Sequence, residues 1–190
     1  MPRLAVLVSG TGTNLESILA AGLPVDLVLA DRHCRALQLA ANRQVPTALI
    51  SRTRFGYRPR ATWDRGGFTR AIDAELEANQ IDLVAMAGFM TILGPGIFEA
   101  YSDRILNTHP SLLPAFKGAH AVPLALAAGV PQTGVTVHVA TSALDSGRIL
   151  AQATVPVLPG DTESTLHARI KVAEHTLYPA TIRDYLATLG

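Results

Sequence analysis

Cysteine is almost missing: Cys34 stands alone in 190 residues, so no intrachain disulfide can form, and no Cys/His spacing suits a structural zinc site. That fits a reducing compartment. Charge is scarce too, at 16% of residues, with sixteen Lys and Arg against fifteen Asp and Glu for a net of +1. So even a balance leaves no global field for nucleic acid or an anionic membrane, and any anion site has to be local. Long apolar runs are lacking at the N-terminus. After Met1-Pro2-Arg3 the aliphatic stretch ends at Ser9-Gly10, too soon for a signal peptide or a membrane span. A cytoplasmic protein is expected. There are no repeats, linkers or low-complexity segments.

What the chain has is apolar mass: 48% hydrophobic residues predict a dense ordered core, and the length suits a single domain over 1–190. Leu4 to Val8 reads as a strand, followed by the loop Ser9-Gly10-Thr11-Gly12-Thr13-Asn14 and then Leu15, Ile18 and Leu19 at helical spacing. Val25 to Ala30, Arg35 to Arg43 and Thr47 to Ile50 continue the alternation as strand, helix, strand. This pattern predicts an α/β fold with a mostly parallel twisted sheet, helices on both faces and ligands at the strands' C-terminal edge. Arg52 to Gly67, with five Arg, Pro59 and three Gly, reads mostly as loop before a helix around Phe68 to Asn79. Leu83 to Ala87 and Ile105 to His109 read as further strands, Pro95 suits the first turn of a short helix, and Pro110 to His120 reads as loop. Gly134 to Val139 and Ile149 to Val157 are expected as an antiparallel extension because their connection is short. Asp161 or Thr162 can cap a last helix running to about Leu189, which Pro179 should kink or break.

Four groups of residues carry chemistry. The Gly10 to Asn14 loop lies where unpaired helix amides can meet an anion. It lacks the Gly-Lys-Ser/Thr of a P-loop, and Leu15 occupies the third glycine position of a dinucleotide fingerprint. A plain βα turn capped by Thr13 or Asn14 explains it equally well. In Asn107-Thr108-His109-Pro110 a strand puts Asn107 and His109 on one face. An amide beside an imidazole suits acyl transfer, the one stabilising an oxyanion and the other moving a proton. Asp145, in Leu144-Asp145-Ser146-Gly147, is either a turn residue or a carboxylate for His109. Lys171 and Glu174 share a helix face and can read a phosphate and a sugar hydroxyl, or form a solvated ion pair. His120 and His138 read as structural.

Taken together, Ser9 to Leu15, Ala87-Gly88-Phe89-Met90, Asn107 to Pro114, Leu144 to Gly147 and Lys171-Val172-Ala173-Glu174-His175 resemble the glycinamide ribonucleotide formyltransferase family, in the family's order. The resemblance spans nearly the whole chain. It implies formyl transfer from 10-formyltetrahydrofolate to glycinamide ribonucleotide in purine biosynthesis, with a Rossmann-like sheet of about seven strands and no metal. By residue, it implies a catalytic group of Asn107, His109 and Asp145, and ribonucleotide contacts from Gly12, Thr13, Asn14, Lys171 and Glu174. The folate site would be lined by Arg65, by Met90, Thr91, Ile92 and Leu93, by Asn107, and by Thr141, Ser142, Ala143, Leu144 and Asp145. The partners it implies are the two small substrates, with a homodimer left open and neither nucleic acid nor membrane involved. Thr91 departs from relatives that carry Arg there, and the chain stops at Gly190, short of the tail of longer members.

Rival readings keep parts of this pattern. A formyltetrahydrofolate hydrolase would share the catalytic trio but is expected to carry an N-terminal regulatory domain, for which a fold starting at Leu4 leaves no room. A methionyl-tRNA formyltransferase shares the Asn-x-His-Pro segment but needs an RNA-binding domain and basic charge. A non-catalytic dinucleotide-binding module would draw on Gly10, Gly12 and Asp31.

Overall fold

The computed structural model describes residues 1–57 and 62–190. Seven strands form one sheet in the order β3-β2-β1-β4-β5-β6-β7. Its parallel part comprises β1 (Leu4–Val8), β2 (Val25–Ala30), β3 (Thr47–Leu49), β4 (Leu83–Met86) and β5 (Ile105–His109). β6 (Gln132–Val139) and β7 (Ile149–Pro156) extend it antiparallel beyond β5, as expected of a short β6–β7 connection.

All five residues of β1 are buried, and successive side chains go to opposite faces. Leu4, Val6 and Val8 join Leu15, Ile18, Ala36, Tyr178 and Ile182 in a cluster under α1 (Thr13–Ala20), α2 (Arg35–Asn42) and α6 (Glu163–Ala187). Ala5 and Leu7 face the other way, into a cluster with Phe68, Ile72, Leu76, Phe89 and Ile97 under α3 (Arg65–Ala78) and α4 (Gly96–Ala100). A strand with no polar face is the signature of a sheet covered on both sides. Because β1 and β4 are neighbours while the chain leaves them in different directions, the crevice beyond their C-terminal ends is a topological switch point, where ligands of open α/β sheets gather.

Several elements differ from the sequence expectation. α3 begins at Arg65 rather than Phe68, because the Asp64 carboxylate caps it by accepting from the Gly67 amide at 2.7 Å; the two glycines are helical, not loop. Within Arg52 to Gly67 a 3₁₀ turn spans Arg52–Phe55, while 58–61, in the part expected as loop, lie outside the described residues. α5 (Ala121–Ala127) was not anticipated; Pro123 sits in its first turn, where no amide hydrogen is required. α6 runs unbroken through Pro179. Tyr178 and Ile182, both fully buried, hold that stretch against the sheet, and this packing outweighs the one backbone bond that Pro179 cannot make. Thr162, not Asp161, is the cap of α6. Asp161 instead accepts two hydrogen bonds from Arg169, at 2.7 and 2.9 Å.

Candidate active site

The loop after β1 turns sharply at Gly12, whose φ of 81° is left-handed. Gly12 occupies the N-cap position of α1, and no side chain caps that helix end. Thr13 and Asn14 therefore do not cap as in a plain βα turn, and the first-turn amides stay available to a ligand. A Cβ on Gly12 would come within 2.9 Å of the Ala36 Cβ, so the glycine also allows α1 and α2 to approach. The loop rims a cavity of about 190 Å³ lined by Ser9 to Asn14, Arg32, Ala87, Gly88, Met90 and Lys171. Lys171 arrives from α6 and donates to Thr13 Oγ1 at 3.0 Å, with Glu174 Oε2 at 3.9 Å. Asn14 is buried, yet its Oδ1 has no hydrogen-bond partner, which is costly unless a ligand or water completes it. Gly12, Thr13, Asn14, Lys171 and Glu174 thus come together at the switch point.

Asn107 and His109 lie on β5 on the face that carries Ile105 and the α3–α4 cluster. The loop after β6 folds back over this face and delivers Asp145, whose Oδ2 is 3.4 Å from His109 Nδ1. Two contacts fix the carboxylate, His109 and the Gly118 amide donating at 2.9 Å, and His138 Nε2 lies 3.6 Å from its other oxygen. Asp145 is itself left-handed, with φ 48°, a conformation that Asp tolerates better than most residues. The turn around it depends on Gly147, where a Cβ would overlap the Val139 carbonyl oxygen.

Hydrogen-bond partners set the protons. The Phe116 carbonyl lies 2.8 Å from His109 Nε2 and can only accept, so Nε2 carries a hydrogen. Nδ1 then holds the second proton when the ring is an imidazolium facing Asp145. His138 Nδ1 likewise donates to the Val139 carbonyl at 2.9 Å, and Asn107 Nδ2 donates to His138 Nε2 at 3.4 Å. Burial pushes the His138 pKa below its ordinary value, outweighing the opposing bond to Val139 and the Asp145 charge. A neutral ring is what the Asn107 bond requires. One amide hydrogen of Asn107 is thereby spoken for, and the other can point at a substrate oxygen.

His138 reads as structural in the sequence, but the β5–β6 register places it opposite Asn107 and its ring touches both Asn107 and Asp145. The missing signal was the antiparallel pairing of β6 with β5, which no local pattern encodes.

The segments assigned to a folate site flank this cluster. Met90 and Ile92, 72% and 62% exposed, turn outward, while Leu93 packs inside. Thr91 also turns inward: its hydroxyl donates to Asp31 Oδ2 at 2.5 Å and accepts from Arg52 Nη1 at 2.9 Å, leaving only its backbone for a ligand. Thr141, Ser142, Ala143 and Leu144 are exposed ahead of buried Asp145. Arg65 starts α3, a position where the helix dipole disfavours a cation, and its guanidinium has no acidic partner among the described residues. A local conflict of this kind is typical of functional positions. Asp31 is fully buried in the Thr91 and Arg52 contacts and cannot serve a ribose hydroxyl, which removes the acidic residue on which a dinucleotide-binding module would draw. Among the described residues no three His, Cys, Asp or Glu side chains gather as a metal site, and no helix is long and apolar enough to cross a membrane.

An open α/β sheet with an anion cradle at its switch point, next to an amide, an imidazole and a carboxylate, defines a group-transfer enzyme of the acyl type. Comparison with known proteins narrows that class. The sequence pattern described as formyl transferase matches residues 2–182, and the chain belongs to that family. It is 48% identical to phosphoribosylglycinamide formyltransferase of Mycobacterium tuberculosis over 194 aligned positions, covering 99% of this chain and 86% of the relative. It is also 40% identical to the human trifunctional purine biosynthetic protein adenosine-3, matching 95% of this chain but 18% of that longer protein. Among solved structures, glycinamide ribonucleotide transformylase 1 of Symbiobacterium toebii superposes with a TM-score of 0.88 at 40% identity, over 96% of this chain and 86% of that one.

Proposed function

We propose that this chain transfers the formyl group of 10-formyltetrahydrofolate to the amine of glycinamide ribonucleotide, giving the formylated ribonucleotide and tetrahydrofolate, a step of purine biosynthesis. The observation that carries the reading is the adjacency of two unlike sites on neighbouring strand ends. One is the anion cradle after β1 and β4; the other is the Asn107, His109 and Asp145 cluster on and beside β5. Relatives that carry the same fold act as phosphoribosylglycinamide formyltransferases by name. Residues 1–190 serve as one formyltransferase domain, since all the apolar clusters share one sheet. A cytoplasmic setting goes with this chemistry.

In the proposed reaction the phosphate rests on the amides of Gly12, Thr13 and Asn14 with Lys171, and Glu174 accepts from a ribose hydroxyl. Arg65 meets the acidic tail of the folate. The exposed apolar side chains of Met90, Ile92 and Leu144, with the backbone of Thr91 and of 141–145, wall its ring, and Leu93 supports that wall from inside. The amine nitrogen attacks the formyl carbon, and the carbonyl electron pair moves to oxygen. The free Asn107 amide hydrogen and the His109 imidazolium stabilise that oxyanion, while His138 holds Asn107 in orientation. Asp145, 3.4 Å from His109 Nδ1, accepts the proton that the amine loses. Collapse then breaks the bond between the formyl carbon and the folate nitrogen, which leaves with the proton that Asp145 took from the amine.

The acceptor is tested by incubating the protein with 10-formyltetrahydrofolate, with and without glycinamide ribonucleotide, and detecting formylated ribonucleotide by mass. Tetrahydrofolate should accumulate only with the acceptor. Rapid acceptor-independent release without formylated product would make the chain a hydrolase and overturn the proposal.

A further inference from the structure

Arg32 lines the cradle cavity from the end of β2, on a side of the site where neither the motif nor the resemblance placed a ligand contact. Its Nε donates to the Ser9 carbonyl at 2.6 Å, which anchors the guanidinium at the rim. Asp31, the residue before it, is locked into the interior by Arg52 and Thr91, so the backbone under Arg32 is fixed as well. Among the described residues no carboxylate pairs with Arg32. Lys171, the other cation of the cavity, has Glu174 at 3.9 Å. Lys171 and Glu174 offset each other in charge, and the surplus positive charge of the site rests on Arg32. A phosphate monoester carries about −1.5 to −2 at neutral pH, more than the Lys171–Glu174 pair alone can balance.

We infer that Arg32 is a further binding residue of the cradle, its two terminal nitrogens taking the phosphate of the acceptor alongside Lys171. The inference rests on the phosphorylated-acceptor reading above. The guanidinium fork is suited to two phosphate oxygens at once, and its Nε bond means that little side-chain freedom is lost on binding. Arg32 thereby confers selectivity for a phosphorylated over an unphosphorylated acceptor, by removing the need for the protein to leave an arginine unpaired once phosphate is seated.

The test compares glycinamide ribonucleotide with the corresponding ribonucleoside, which lacks phosphate, in the wild-type protein, Arg32→Gln and Arg32→Lys. Arg32→Gln should raise KM for the ribonucleotide about 10- to 100-fold, the size of a charge-assisted hydrogen bond. Its kcat, its folate KM and its KM for the ribonucleoside should stay near wild type. Arg32→Lys, which keeps charge without the fork, should fall between. An unchanged ribonucleotide KM in Arg32→Gln, or equal losses on both acceptors, would make Arg32 a strut for Ser9 and overturn the assignment. If the wild type does not prefer the ribonucleotide at all, the cradle itself fails and the proposed acceptor with it. If the wild type prefers it and Arg32→Gln keeps the preference, only the role of Arg32 is lost.

Discussion

The cradle after β1 is written mainly in a few consecutive residues, Gly10 to Asn14, joined by side chains such as Lys171 of α6 and Arg32 beyond β2. The cluster around His109 is gathered instead from β5, β6 and a loop that folds back over the sheet. Backbone amides supply most of the first site, whereas the second depends on side chains whose protonation is set by neighbours. The contrast teaches what each site can tolerate. In the proposed reaction a cradle of amides would bind ground and transition states alike, so damage there should appear in KM; the cluster would act on charge that develops only during reaction, so damage there should appear in kcat.

The largest effect is expected where that contrast is sharpest. His109→Ala and Asn107→Ala should each lower kcat by about 10²–10³ or more, the usual cost of one oxyanion donor, with ribonucleotide KM little changed. Asp145→Asn keeps the shape but removes the carboxylate that faces His109 and takes up the amine's proton, and should fall in the same range across neutral pH. Near-normal turnover of a folded Asn107→Ala protein would erase the distinction between the two sites.

Gly147→Ala comes next. It adds no charge and touches no substrate, but its Cβ would meet the Val139 carbonyl and must displace the turn that presents Asp145. We expect kcat to drop about 10-fold or more, since an ångström of misplacement at a reacting group costs on that scale or above, while the cradle keeps its affinity. A rise in ribonucleotide KM with kcat intact would show that the two regions are not separable.

Lys171→Ala should give the reverse profile, a KM for ribonucleotide raised about 10-fold with a modest change in kcat, in keeping with one charge-assisted contact. Steady-state kinetics against both substrates decides it; an equal loss for folate would contradict the assignment. Glycine substitutions sharpen the point. At Gly10 a Cβ meets nothing within 4 Å, so Gly10→Ala reports on close approach of the ligand alone. At Gly12 the left-handed backbone and Ala36 both object, so Gly12→Val would mix ligand loss with destabilisation of the α1–α2 contact.

The same contrast explains how much could be read in advance. The β1 run, the glycine loop after it and the aliphatic runs of β2 and β5 are local patterns, and they appear where periodicity and turn chemistry put them. Asn107 and His109 were legible as a pair because strand alternation fixes their common face. That Asp145 reaches His109 came from resemblance, since nothing in Leu144-Asp145-Ser146-Gly147 shows a turn folding back over the sheet. His138 escaped because its meaning lies in the register against Asn107. α5 escaped because Ala121 to Ala127 is nearly all apolar and carries Pro123, so neither helical period nor a clean cap marks it. Thr91 shows the limit of position-by-position transfer: it belongs to the segment, but its side chain serves Asp31 and Arg52.

The smallest effect concerns pH and stability, and it rests on the neutral imidazole of the cluster, His138. His138 ordinarily titrates near 6.5, and in the fold burial lowers its pKa. The unfolded chain therefore binds a proton at a pH where the folded chain does not, so stability must fall as pH drops below about 6.5 and rise again on return. Above that value both states are neutral and His138 adds no pH dependence. The groups facing its ring are Asn107, the Val139 carbonyl, Asp145, His109 and Lys117. His138→Gln keeps a polar side chain opposite Asn107 and cannot titrate, so its melting temperature should decline less steeply than wild type between pH 6.5 and 5. Asp145 is the one carboxylate in that set, and its charge acts on the ring. Comparing His138→Gln with wild type in an Asp145→Asn background as well removes that coupling, so the difference that survives belongs to the imidazole. Parallel pH profiles in both backgrounds would mean that His138 is charged in the fold, and an imidazolium there could not accept the Asn107 hydrogen bond on which the orientation of the oxyanion donor depends.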